Sequence, residues 1–300
     1  MRLRVLVLLP CLPLLSAQDP AAGAAAAGPQ PASTPSAAPT PDGVSGNLGV
    51  DFTTAYFFRG IRQEDQGVIG QPHFELDFRL CDGDGALHSL DLVLGQWNSL
   101  HDGPTGSGGT AQSMWYESDF YATLRAGLGE RWSADSTYTT YYSPNARFRT
   151  VEEIAFGLAY NDDGQLGAGF AGLQPSVRIA FELDGQADAG THLGTYAQFA
   201  LAPSLALGKA GAYDFALALP LTAACSLSDY YQDAAGNDHT FGYLDVGCAL
   251  SSPLPFMPSR LGPWKASLGL HGLFLGPSNE QLNDGDDFEW IGTFGLSTSF

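Results

Sequence analysis

From residue 45 to the end of the chain, apolar and polar side chains alternate in segment after segment. In one of them Phe74, Leu76 and Phe78 alternate with Glu75 and Asp77. A period of two places successive side chains on opposite faces of a β-strand. Because turn-forming sequences separate the segments and none has a helical period, we predict an all-β fold. The twelve predicted strands are 45–58, 68–80, 87–98, 115–127, 132–143, 151–161, 173–184, 191–202, 213–227, 240–251, 264–275 and 289–300.

The length, number and aromatic ends of these strands favour a membrane barrel over a soluble sandwich. They average about 12 residues, whereas soluble strands cluster near about 5–6 and a membrane-spanning strand needs about 9–11. Aromatic residues at strand ends are typical of membrane interfaces. We therefore predict a transmembrane antiparallel up-and-down β-barrel of about 12 strands, with a soluble periplasmic β-barrel or sandwich as the alternative. The aromatic ends are Tyr56-Phe57-Phe58, Trp115-Tyr116, Trp132, Tyr141-Tyr142, Tyr160, Trp264 and Trp290.

The N-terminus has the features of an export signal. Arg2 and Arg4 precede the apolar run Val5–Leu15, which is too short to span a bilayer and suits a signal-peptide core. We assign residues 1–17 to the signal peptide, with a second possible cleavage site near residue 24. The Ala- and Pro-rich residues 18–44 form a flexible spacer, and 45–300 form the barrel. The predicted location is the outer membrane.

An even number of strands brings both chain ends to the same rim, which we expect to be periplasmic. The gaps at 59–67, 99–114, 144–150, 185–190, 228–239 and 276–288 then face outside. Periplasmic turns are usually short, and the gaps at 162–172, 203–212 and 252–263 are longer than this rule predicts.

The charge balance indicates what the lumen could pass. The chain has 13 basic and 32 acidic residues, for a net charge of −19, which argues against nucleic-acid binding. On the predicted inward face, twelve acids oppose four bases, and such a wall concentrates cations. We expect a cation-preferring porin for passive diffusion of small solutes and ions. The acids are Asp51, Glu75, Asp77, Asp91, Glu117, Asp119, Asp135, Glu153, Glu182, Asp184, Asp245 and Glu289, and the bases are Arg79, Arg125, Arg178 and Lys265.

Two other functions remain open for a barrel of this size. Eight-stranded barrels are filled by side chains and wide channels appear near 16 strands, so twelve lies between. Ion pairing inside could therefore give a plugged structural or adhesive barrel. A barrel hydrolase is less favoured, because Ser267 and His271 lie about 13 Å apart along one strand at about 3.3 Å per residue. The selectivity candidates are Glu75, Asp77, Arg79, Glu117, Asp119, Arg125, Arg178, Glu182 and Asp184.

No catalytic residue, cofactor or metal site is predicted. The inward histidine candidates His73, His192 and His271 are expected to be ordinary lumen residues. The acidic turns near 82–85 and 283–287 lack the glutamate that an EF-hand requires. Cys225 and Cys248, about equidistant from the loop centre near residue 236, could form a cross-strand disulfide in an oxidising periplasm.

The C-terminal strand ends on Phe300, with apolar residues at alternate positions before it. This pattern looks like the signal read by the outer-membrane barrel assembly machinery. The expected partners are therefore that machinery, membrane lipid and small solutes.

Three stretches resemble a known family. Ser45–Val50, followed by Tyr56-Phe57-Phe58-Arg59-Gly60-Ile61-Arg62-Gln63, is similar to the start of the Gcw_chp, or TorF-type, porin family, and Trp115–Tyr121 resembles its central aromatic-acidic segment. Phe300 matches the end of that family. The resemblance covers residues 44–300 and implies an outer-membrane barrel with no agreed substrate and no catalytic residues.

Overall fold

The computed structural model describes residues 43–106, 113–167, 170–188, 190–258, 260 and 262–300. The predicted signal peptide and nearly all of the spacer lie outside the described residues. The strands are β1 (Val44–Thr53), β2 (Tyr56–Phe58), β3 (Ile61–Glu64), β4 (Ile69–Asp82), β5 (Leu87–His101), β6 (Trp115–Leu128), β7 (Trp132–Tyr142), β8 (Val151–Tyr160), β9 (Ser176–Asp184), β10 (Thr195–Leu201), β11 (Ser204–Ala210), β12 (Tyr213–Ala218), β13 (Leu221–Ser228), β14 (Phe241–Pro253), β15 (Lys265–Leu275) and β16 (Phe288–Ser299). A short helix, α1 (Pro277–Leu282), precedes β16.

The predicted twelve-stranded barrel is confirmed. Each barrel strand pairs antiparallel with its neighbours along the chain, and β1 pairs with β16 to close the sheet. The seam is completed by Phe300, whose backbone exchanges two hydrogen bonds with Gly46, of 2.8 and 2.9 Å. We call the rim that holds both chain ends the terminal rim, and the opposite rim the loop rim.

Two of the twelve barrel strands are each interrupted by a proline. β10 and β11 are collinear, as are β12 and β13, because the pairing of Leu201 with Leu221 continues in register to that of Ser204 with Ala218. Pro203 and Pro220 lie at the two breaks, since proline has no N–H to give to a sheet. The gap predicted at 203–212 is therefore mostly strand, which accounts for its unusual length: the hairpin continues to a turn after Ala210.

The two faces of the sheet differ as the alternation predicts. Large apolar side chains such as Phe74, Phe120, Phe156 and Leu268 are exposed on the outside. Acidic, hydroxyl and basic side chains lie on the other face and are largely buried. A sheet with an apolar exterior and closed edges leaves no backbone group unpaired in lipid, which is the condition for spanning a bilayer with strands.

The first predicted strand, 45–58, is the main departure from the sequence-based strand boundaries. β1 ends at Thr53, and the chain then turns into the barrel. The Thr54 N–H donates to Gly292 O at 3.0 Å and the Gly292 N–H to Thr54 Oγ1 at 2.9 Å, which anchors the point of departure to β16. In the part of the chain that the structure describes, no helix is long and apolar enough to cross a membrane.

Candidate lumen site

β2 and β3 form a two-stranded hairpin inside the barrel, at the loop rim. We call residues Tyr56–Glu64 the lumen hairpin. Tyr56 and Phe57 are fully buried and Phe58 is nearly so. The prediction that these three aromatics lie at a lipid interface is therefore wrong. Their rings pack on inward residues of the wall, as in the contact of Phe58 with Tyr141 at 5.1 Å between centroids.

Arg59, at the turn of the lumen hairpin, is almost fully enclosed, with 3% exposure. Its Nη1 and Nη2 donate to Glu153 Oε2 and Oε1 of β8 at 2.6 and 2.7 Å, a bidentate ion pair. Such charge-assisted pairs are the strongest hydrogen bonds available to a side chain. The lumen hairpin is thus joined to the barrel wall by a buried salt bridge.

Tyrosines complete the enclosure of Arg59. Its Nη1 also donates to Tyr230 Oη at 2.9 Å, and its guanidinium lies 4.1 Å from the centre of the Tyr196 ring, a cation–π contact. The Tyr231 hydroxyl donates to the Arg59 carbonyl at 3.0 Å. We call Glu153, Tyr196, Tyr230 and Tyr231 the Arg59 cage.

Three further contacts tie the end of the lumen hairpin to neighbouring loops. Glu64 accepts hydrogen bonds from the backbone and side chain of Thr105 at 2.8 and 2.7 Å. Burial alone would raise the pKa of Glu64, but the hydrogen bonds from Thr105, Gln66 and Asp65 outweigh burial and lower it. Arg62 pairs with Asp284 at 2.6 Å, and the Tyr116 hydroxyl donates to Gln63.

Each arginine among the selectivity candidates is paired with a carboxylate. Arg125 lies 3.2 Å from Asp77, and Arg178 lies 3.0 Å from Asp135. Arg79 bonds to Asp91 and to Asp82. Because the partner carboxylates of Arg125 and Arg178 are nearly fully buried, these arginines neutralise wall acids and occupy space in the terminal-rim half of the lumen.

The remaining candidate acids have different surroundings. Glu75 accepts a hydrogen bond from Tyr121 and Glu117 accepts one from Tyr56, both of 2.8 Å. Asp119 is fully buried beside Glu117. Glu182 accepts the backbone N–H groups of Ala187 and Gly194 at 2.6 and 2.7 Å, so it holds the β9–β10 loop. Asp184 is largely exposed and pairs with Arg149 at 2.7 Å.

Loop carboxylates at the loop rim are held by backbone donors. Asp188 accepts the N–H groups of Gly190 and Gln232 at 2.8 and 2.9 Å, which joins two loops. Burial raises the pKa of Asp188 despite these bonds. Asp233 accepts from the Asn237 side chain and backbone, from His239 and from Ala235, and these bonds lower its pKa.

The three candidate histidines do not share one site. His271 is fully buried, with Nδ1 3.0 Å from Asp245 Oδ1, and its Nε2 has no hydrogen-bond partner among the described residues. His73 lies 3.5 Å from Asp51, and His192 contacts Thr191 and Gln232 in the loop region.

The register separates the two cysteines proposed to form a disulfide. Cys225 is opposite Phe241, whereas Cys248 lies seven residues further along β14, opposite Leu270 of β15. At about 3.3 Å per residue this offset is about 23 Å, well beyond disulfide reach. Both thiols are free, as is that of Cys81 near the end of β4. The expected disulfide is absent because Cys225 pairs with Phe241, so the β13–β14 hairpin is centred near residue 233 and not near 236; the β-bulge between Ala224 and Cys225 accounts for one residue of the offset.

Glu153 was expected among the wall acids, but the Arg59 cage could not be identified from the sequence. Arg59 was visible only as part of the Tyr56–Gln63 stretch that carries the family resemblance. Its partners are 94 and 171 positions away in the chain, so no local pattern connects them.

No family model matches the chain, and no curated protein matches it either. The resemblance to the Gcw_chp, or TorF-type, family is therefore not confirmed. Among solved structures, the chain is similar to a bacterial polysaccharide outer-membrane secretin (8% identity, 87% of this chain and 99% of that chain, TM-score 0.47). It is also similar to an outer-membrane channel from Pseudomonas putida F1 (12%, 88% and 97%, TM-score 0.45) and to the NanC porin (9%, 85% and 98%, TM-score 0.43). The likeness is one of architecture, with little shared sequence.

Proposed function

We propose that this chain is an outer-membrane, porin-like channel that passes small solutes and prefers cations. The supporting observation is the closed barrel whose outside is apolar and whose inside is rich in acids. Twelve wall acids outnumber four bases by the alternation of the sequence, and the lumen hairpin adds two bases, Arg59 and Arg62, and one acid, Glu64. The remaining excess of negative charge attracts cations and repels anions.

The lumen hairpin sets a condition on transport. With Tyr56 and Phe57 fully buried and Arg59 bound to Glu153, the loop-rim half of the lumen is filled. A solute therefore passes only when the lumen hairpin is displaced from the Arg59 cage. We expect brief openings of a mostly closed channel.

A planar-bilayer recording under a salt gradient tests this function. We expect intermittent conductance with a reversal potential of the sign that cation selectivity requires. Glu75→Gln should move the reversal potential toward zero, because Glu75 faces the lumen with a tyrosine as its hydrogen-bond partner. Asp163→Asn, in an exposed loop of the terminal rim, is the matched control and should leave it unchanged. An anion-selective reversal potential would contradict the proposal.

The second candidate, a plugged structural or adhesive barrel, is favoured by the near-complete burial of the Arg59–Glu153 pair. Liposome swelling with sugars of graded size separates the two. A structural barrel gives no swelling even when Glu153→Ala removes the ion pair, whereas a closed channel then begins to admit the smaller sugars.

The predicted export signal, outer-membrane location and recognition of Phe300 by the assembly machinery are parts of the same proposal. Phe300 closes the seam with Gly46. Its deletion should therefore reduce the fraction of folded protein in membranes, measured as the gel band whose mobility changes on heating. Recovery of the mature chain in the aqueous periplasmic extract, without detergent, would contradict the membrane location.

A further inference from the structure

Glu117 and Asp119 are two carboxyl groups placed side by side on the inward face of β6, next to the lumen hairpin. They are 4% and 0% exposed. Glu117 Oε2 accepts a hydrogen bond from the Tyr56 hydroxyl of the lumen hairpin at 2.8 Å. Neither oxygen of Asp119 accepts a hydrogen bond of standard geometry from a described residue, although the Tyr142 backbone N–H lies near enough to interact weakly. The pair is therefore buried, and no donor at standard hydrogen-bond geometry stabilises Asp119 in its ionised form.

The groups around the pair do not supply a counter-charge. Those that titrate or carry charge are Tyr56, Glu75, His101, Tyr116, Tyr121, Tyr141 and the Arg59–Glu153 pair. Arg59 is held by two short bonds to Glu153. Within the described ranges, no arginine or lysine forms a salt bridge with Glu117 or Asp119.

Two adjacent ionised carboxylates without a counter-charge are costly in a buried site. One proton removes the repulsion and lets one carboxyl donate a hydrogen bond to the other. We propose that Glu117 and Asp119 bind a single proton between them, and that this proton-binding site stabilises the lumen hairpin inside the barrel.

The direction of the pH effect follows from the linkage between proton binding by the pair and displacement of the lumen hairpin. The pair binds its proton more tightly when the lumen hairpin covers it than when displacement admits water. Higher pH therefore favours displacement, and the ratio of displaced to inserted hairpin rises by up to about tenfold per pH unit for one proton. The consequence for transport, a channel that opens more often as pH rises, rests on the proposed function, whereas the proton-binding site itself does not.

Infrared spectroscopy of the folded full-length chain in detergent tests the site directly. We expect the carbonyl stretch of a protonated carboxylic acid that persists at neutral pH. Glu117→Gln and Asp119→Asn should each remove it, and the exposed control Asp163→Asn should retain it. Absence of the band from the unsubstituted protein, or its persistence in both variants, would overturn the proposal.

A cysteine reporter tests the coupling to the lumen hairpin. All four cysteines, Cys11, Cys81, Cys225 and Cys248, are first replaced by Ser. Phe57→Cys then reports on the hairpin, and Val68→Cys, at an exposed position, corrects for the pH dependence of thiol chemistry. We expect the ratio of the two maleimide-labelling rates to rise with pH, by up to about tenfold per unit, and to be flat with Asp119→Asn. A flat ratio with both acids present would overturn the coupling. Because neither readout uses conductance, a failed porin proposal is distinguishable from a failed proton site.

Discussion

Removing the carboxylate of Glu153 tests whether the Arg59 cage holds the lumen hairpin in place. Glu153→Ala leaves the Arg59 guanidinium buried without its charge partner. Breaking a buried ion pair by truncating one member costs about 3–5 kcal/mol. At about 1.4 kcal/mol per factor of ten, the displaced hairpin population should rise by about 10²- to 10³-fold.

The Phe57→Cys reporter in the cysteine-free background measures that population through its labelling rate. Arg149→Ala is the matched control, because Arg149 forms an ion pair of similar length with Asp184 but at the surface. Exposed pairs contribute about 0–1 kcal/mol, so this variant should change the rate by less than about fivefold.

A double variant separates lost charge from lost packing. Arg59→Met combined with Glu153→Met replaces the ion pair by apolar side chains, which is often neutral or stabilising in a buried site. Its labelling rate should return toward that of the parent. If Glu153→Ala labels no faster than Arg149→Ala, the salt bridge does not hold the hairpin and the reasoning is refuted.

Three further predictions concern the wall and the loops. Gly95→Ala should cost about 1–3 kcal/mol in thermal stability, because a Cβ at residue 95 would lie 2.1 Å from the Tyr121 ring, whereas Gly85→Ala meets nothing within 4 Å and serves as the control. Glu182→Ala should accelerate hydrogen exchange at Ala187 and Gly194, whose N–H groups it accepts, and unchanged exchange there would contradict its role in holding the loop. The backbone amides of the 233–239 turn should stay protected from hydrogen exchange at pH values well below the usual titration range of aspartate. They should lose this protection only as the pH falls through the lowered pKa of Asp233. Loss of protection within the usual aspartate range would show that the bonds to Asn237 do not persist in solution.

The strands were predictable because alternation is a local property. The alternation of Phe74, Leu76 and Phe78 with polar residues shows which face of the strand is apolar. In a closed barrel every strand has the same two faces, so a consistent alternation predicts the strands. The length of the strands further indicated that they span a membrane. Twelve barrel strands and their order could therefore be predicted from residues that are near each other in the chain.

The lumen hairpin could not be predicted by the same means. Tyr56, Phe57 and Phe58 continue the alternation of β1 and suit a lipid interface equally well. What decides their position is an ion pair between Arg59 and Glu153, which lies 94 residues later in the chain, on β8. The disulfide prediction failed for a related reason: turn-forming residues alone do not fix the centre of a hairpin, and the pairing of Cys225 with Phe241 places that centre near residue 233 instead of 236.

The contacts of Arg59 also determine when the barrel reaches its final structure. Its partners Glu153, Tyr230 and Asn279 lie 94, 171 and 220 positions later in the chain, so the enclosure is finished only after nearly every strand has joined. Contacts between such distant segments form slowly. A newly inserted barrel should therefore pass through a leaky stage, and the cell envelope would tolerate this protein only if that stage is brief.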